Sequence, residues 1–152
     1  MKKIPFLFLF YCMSASAQIS TVTKQEPSIT VGKVAPMGSF IAELVYRINK
    51  DEKDTIYTLM YRDAKYSRII SVKSVSFSGV DNTLNELYKA FKTVFTEENR
   101  KNKDYAINFD LGVSPVSIHN YRLMGAVAAA FFHEGAIVYL TERQLDKLFA
   151  KE

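Results

Sequence analysis

The side chains best suited to chemistry are two histidines and the acids near them. His119 and His133 are the only histidines in the chain, and Glu134 follows His133 directly. An imidazole beside a carboxylate can relay a proton near neutral pH or ligate a metal. His119, His133, Glu134 and Asp110 would make a small hydrolytic or metal-dependent site if strands gathered them. His133-Glu134 begins like the zinc motif H-E-x-x-H, but position 137 is isoleucine, so the second ligand is missing. Turn and surface histidines are the simpler reading of both residues.

Other chemistries lack their parts. No serine sits in G-x-S-x-G, and Ser76-Phe77-Ser78-Gly79 lacks the glycine before the nucleophile. Gly79 is the only glycine near the start of the following helix, so no loop there can cradle a phosphate. The acid pairs Asp51/Glu52 and Glu97/Glu98 fall in a polar turn and near a helix end, without the shielding that a catalytic acid needs. The run Asn49 to Asp54 is rich in oxygen ligands but has no glycine and no EF-hand spacing, and reads as a solvated hairpin turn. These residues imply no cofactor and no resident metal.

Tyrosine is the remaining excess. Tyr46, Tyr57, Tyr61, Tyr66, Tyr88, Tyr105, Tyr121 and Tyr139 follow the first 17 residues, and the chain has no tryptophan. Tyrosine fits half-buried sheet faces and also interfaces, because it joins a large apolar ring to a polar tip. Strand-forming residues at the edge of the core are the simpler reading of these tyrosines; the lack of catalytic motifs, together with apolar residues on both strand faces, favours a non-catalytic domain that binds a protein, peptide or envelope component through its sheet or a sheet edge. A small-ligand carrier is a further alternative. It would need a cavity against Leu87, Phe91 and Phe95.

The N-terminus bears on where such binding takes place. Lys2 and Lys3 precede the apolar run Ile4 to Met13, and Ser14-Ala15-Ser16-Ala17 ends it. Basic start, short apolar stretch and small residues form a secretory signal over 1–17, cleaved between Ala17 and Gln18. The product would be periplasmic or secreted. Leu9 and Cys12 offer a lipoprotein alternative, but Tyr11 stands where a small residue is needed. Cys12 is the only cysteine, so the mature chain has no disulfide, no thiol nucleophile and no thiolate zinc ligand. No later apolar run is long enough to span a bilayer. Cleavage also removes two of the positive charges behind the formal +4, leaving no nucleic-acid footprint. The basic run Arg100 to Lys103 suits a helix C-terminus and a solvated turn.

The elements that must position these residues read as one α+β domain over 40–152, after a flexible arm over 18–39. Within the arm only Ser28 to Val31 has a strand character. Strands are predicted over Phe40–Ile48, Thr55–Arg62 and Tyr66–Phe77, the last long enough to carry a bulge. Leu84, Leu87, Tyr88, Phe91, Val94 and Phe95 recur at helical spacing and predict one long helix over 83–97. Thr83 and Glu86 offer it a capping box, with Asp81 as a rival cap. Tyr105–Leu111, Val116–Leu123, Ala126–Phe132 and Ala136–Leu140 follow as strands, with Met124-Gly125 as a break or bulge. Ala126–Phe132 is alanine-rich, yet its tight brackets and its distance from the next strand favour strand over helix. Thr141 and Gln144 form a second capping box before a short helix with Leu145, Leu148 and Phe149 inside. The order βββ-α-ββββ-α predicts a mainly antiparallel, strongly twisted sheet curled around the long helix.

The segments DYAINFDLG (Asp104 to Gly112), YRLMG (Tyr121 to Gly125) and EGAIVYLTERQLDKLF (Glu134 to Phe149) resemble a group of small exported proteins of Bacteroidota. The signal end SASAQ resembles theirs too. That resemblance implies export and a single domain, and it brings no activity, cofactor or site.

Overall fold

The computed structural model describes residues 27–49, 54–66 and 68–151. The expected signal, its cleavage point, Cys12 and most of the polar turn after Asn49 lie outside the described residues. The fold is α+β, built from two antiparallel four-stranded meanders. In the first, β1 (Ile29–Val34), β2 (Ala42–Asn49), β3 (Asp54–Arg62) and β4 (Val72–Ser78) pair in chain order. Helices α1 (Thr83–Thr93) and α2 (Glu97–Lys101) follow. The second meander is β5 (Ala106–Leu111), β6 (Ser114–Leu123), β7 (Ala126–His133) and β8 (Ala136–Leu140), and helix α3 (Glu142–Leu148) ends the fold.

Two architectural expectations are corrected. There are two open sheets, not one sheet curled around a helix. The long helix over 83–97 is two short ones. Tight turns over 94–96 interrupt it, and the Thr96 side chain accepts from Asn99 N–H to start α2 afresh. The apolar stripe nevertheless runs across the break. Leu87, Phe91, Val94 and Phe95 are all buried, so one periodic pattern serves a helix and the turn after it. The capping box expected at Thr83 and Glu86 does not form. Asn82, in a left-handed conformation, precedes the helix without a side-chain cap, and Glu86 pairs with Lys89 at 2.8 Å. At α3 both halves of the expected box form: Thr141 N–H donates to Gln144 at 2.9 Å, and Thr141 Oγ1 accepts from Gln144 N–H at 3.4 Å.

The strand at the end of the N-terminal arm is longer than expected and pairs with β2 from Ile29 to Val34. β4, in turn, starts at Val72 rather than Tyr66. The reason is the ladder. β3 ends at Arg62, opposite Val72, so the residues before Val72 have no partner strand. They form a connection closed by Asp63 N–H donating to Ser71 O.

The core lies between the inner faces of the two sheets and the helices. Tyr61 meets Phe131 edge-on at 5.7 Å, and Phe91 packs between Phe131 and Phe149 at 5.7 and 6.0 Å. Phe91 is fully buried among these rings, and a groove of about 410 Å³ between α1 and β5 is lined by Leu87 but not by Phe91 or Phe95. Lys92 links α1 to α3 through Glu142 at 2.6 Å and Asp146 at 3.3 Å, and Tyr88 O–H donates to Asp146 at 2.7 Å. No helix among the described residues is long and apolar enough to cross a membrane.

Candidate functional site

The pleat of the second sheet sorts its residues into two faces. Val116, Ile118, Asn120, Ala129, Phe131, His133, Val138 and Leu140 turn inward and are buried. Ser117, His119, Tyr121, Ala128, Ala130, Phe132, Ile137 and Tyr139 form the outer face. Register sets their neighbours: His119 lies opposite Ala130, which lies opposite Tyr139, and Tyr121 lies opposite Ala128.

The outer face is a row of rings over a floor of alanines. Tyr121 and Tyr139 stack with centroids 4.5 Å apart and planes at 29°. Beside them, His119 and Phe132 sit 4.7 Å apart, and His119 Nε2 lies 2.9 Å from Ser117 Oγ. Ala128 and Ala130 are 0 and 1% exposed, yet neither joins the main core. The rings above them bury them. A larger residue at either position would lift the rings apart, so the alanine run that reads as helical by propensity serves a face that needs small residues. Burial, and next the neighbouring Tyr121, raises the pKa of the Tyr139 phenol. Tyr121 itself stays 44% exposed.

A cleft flanks each end of this row. One, of about 360 Å³, is lined by Phe40, Ile41, Arg62, Tyr66, Leu123 and Tyr139. The other, of about 450 Å³, is lined by Asn108, Asp110, Ser117, Phe132 and Glu134, with His133 at its wall.

The expected histidine site is not assembled. His119 and His133 occupy opposite faces of the sheet. His133 is 5% exposed, and its Nδ1 lies 3.0 Å from the Tyr61 hydroxyl. Its Nε2 is buried without a hydrogen-bond partner and is 3.9 Å from the Glu134 carboxylate. Asp110 and Glu134 share a cleft wall with His133, but His119 is not part of it. No group of three His, Cys, Asp or Glu side chains among the described residues is placed to hold a metal.

Sequence reasoning singled out Tyr121 and Tyr139 as part of an excess and missed that they are a pair. The pairing depends on two consecutive hairpin registers. Those registers are set by the two-residue turns Met124-Gly125 and Glu134-Gly135, in which all four residues have positive φ. None of the protein-family models, curated proteins or solved structures compared with the chain matches it.

Proposed function

We propose that this chain is a non-catalytic exported binding domain of the cell envelope, whose partner docks on the outer face of the second sheet. One observation carries the reading: the stacked Tyr121–Tyr139 pair, continued by His119 and Phe132, forms an open aromatic row between two clefts. Rigid rings with polar tips give contact area at little entropic cost, and they recur where proteins meet partners. The segment 1–17 supports the export part of the reading. The separation of His119 from His133 leaves the hydrolase alternative without an assembled site.

The test uses purified residues 18–152 and isolated envelope fractions: peptidoglycan, outer-membrane polysaccharide and envelope peptides. Chemical-shift mapping should place perturbations at His119, Tyr121, Phe132 and Tyr139 for one fraction. Tyr121→Ala should weaken that binding about tenfold or more while the inner-face signals stay in place. Binding that maps elsewhere, or no binding to any fraction, would remove the proposal.

A further inference from the structure

One buried polar atom has no role in the docking face. His133 is 5% exposed, and its Nδ1 lies 3.0 Å from the Tyr61 hydroxyl inside the core. Tyr61 is 0% exposed, and among the described residues its hydroxyl has no other partner. A buried hydroxyl proton needs an acceptor, so Tyr61 donates to Nδ1 and the imidazole carries its own proton on Nε2. That N–H has no acceptor. With Nδ1 turned to the core, Nε2 lies on the other side of the ring, toward Glu134 at 3.9 Å and the cleft that both residues line. A buried donor left unpaired is destabilising, and an oxygen arriving through the cleft would relieve it.

The rest of the cleft is acidic and partly apolar. Register places Asp110 opposite Pro115 and His133 opposite Val116, so Asp110 and Glu134 flank the start of β6 from its two sides. Among the described residues the Asp110 carboxylate has no hydrogen bond or ion pair, and that of Glu134 reaches only His133. No lysine or arginine among the described residues lines the cleft. Phe132 and Pro115 give it an apolar side, and Asn108 adds an amide. Its volume of about 450 Å³ suits one small molecule. Imidazole and carboxylates are not placed to converge on a metal ion, so an extended organic ligand fits between them.

We propose that this cleft binds an amino sugar with a free, protonated amine. The ammonium group answers the two unpaired carboxylates. A hydroxyl oxygen on the neighbouring carbon accepts from His133 Nε2–H. The apolar face of the sugar ring lies against Phe132 and Pro115. These features select jointly. A plain alkylamine leaves Nε2 without an acceptor, a neutral sugar leaves the carboxylates without a cation, and an acidic ligand is repelled by them. The Glu134 side chain is 69% exposed, so it turns outward to the ammonium without disturbing the sheet, and uncovers Nε2 as it does so. The site is complete within the cleft and needs no partner on the Tyr121–Tyr139 row. Such a shallow contact is weak, with a dissociation constant on the order of millimolar.

Glucosamine, glucose and butylamine separate the three requirements in a chemical-shift titration of residues 18–152. Glucosamine should shift the signals of Asp110 and Glu134 and slow the exchange of the His133 Nε2 proton. Glucose and butylamine should each bind about tenfold more weakly or worse, and butylamine should leave the Nε2 proton unaltered. Asp110→Asn and Glu134→Gln change exposed side chains only, and each should weaken glucosamine about tenfold while the signals of Phe131 and Val138 stay in place. Equal binding of glucose and glucosamine overturns the proposal by removing the cation from it. Equal binding of butylamine, with no response at Nε2, overturns it by reducing the cleft to an acidic patch. Glucosamine shifts confined to Tyr121 and Tyr139 overturn it by assigning the sugar to the aromatic row. No response to any probe overturns it outright.

Discussion

The two sheets share one topology and are held in different ways. The second closes through two-residue turns, so each hairpin contains its own instructions: 111 faces 114, 123 faces 126, and 133 faces 136. The first depends on distant parts of the chain. Its β1 edge lies against the C-terminal helix, and its β3–β4 connection reaches across to Ile137. A sheet specified by its own turns can leave a face open to solvent. A sheet specified by its neighbours has its edges occupied by them. This is why the candidate surfaces fall on the second sheet.

The strongest way to break this contrast is at Gly32. A Cβ there would collide with the Lys147 and Leu148 carbonyls, which are backbone and cannot rotate away. Gly32→Ala should cost roughly 3 kcal/mol or more in urea unfolding. Hydrogen exchange should quicken in β1 and α3 before it does in β6 and β7. Uniform loss across both sheets would show that the first sheet does not lean on α3 as described. A smaller effect should follow Asp63→Ala. Asp63 is 2% exposed and accepts from Lys65 N–H at 3.0 Å as well as from Ile137. Leaving the Ile137 amide without its acceptor should cost about 2 kcal/mol and expose the β8 edge to exchange.

The joint between the sheets gives a pH-dependent prediction. Burial, and then the nearby charges of Asp63 and Glu134, push the Tyr61 phenol well above its ordinary value of 10.0. The folded protein therefore holds this proton longer than the unfolded chain does. Below about pH 10 both states are protonated and stability is intact; above it the unfolded state ionises first, and stability falls as pH rises. Tyr61→Phe should flatten that alkaline decline. At neutral pH it should cost about 1 kcal/mol, because His133 loses the partner of its Nδ1. An unchanged alkaline limb would show that Tyr61 is not the group responsible.

The same contrast explains what was legible in the sequence. Tyr105, Ile107, Phe109 and Leu111 alternate with exposed residues because β5 has one wet face, and the strand was read nearly to its ends. The box at Thr141 and Gln144 was legible because capping is local chemistry. The break after Thr93 was hidden because Val94 and Phe95 keep the stripe while leaving the helix. The start of β4 was hidden because Tyr66, Ile69 and Ile70 are strand formers that remain exposed, lacking only a partner. The candidate face was half legible: tyrosine stood out by count, but Ala128 and Ala130 gain their role only from register.

The smallest predicted effect sets the two sheets side by side. Each contains a Met-Gly pair in the left-handed region: Met37 and Gly38 have φ of 51° and 79°, Met124 and Gly125 of 50° and 87°. Both methionines are fully exposed, so replacing them removes no packing. Asparagine tolerates this conformation better, and Met37→Asn and Met124→Asn should each stabilise by about 0.5 kcal/mol. The gain should divide differently between the rates. Met124-Gly125 closes a hairpin whose contacts are local and form early, so its gain should appear in the folding rate. Met37-Gly38 lies in the longer connection between β1 and β2, and β1 is anchored only once α3 has docked on Gly32. Its gain should therefore appear as slower unfolding. Stopped-flow kinetics that put both gains on the same limb would erase the distinction between a sheet specified by its turns and one specified by its neighbours.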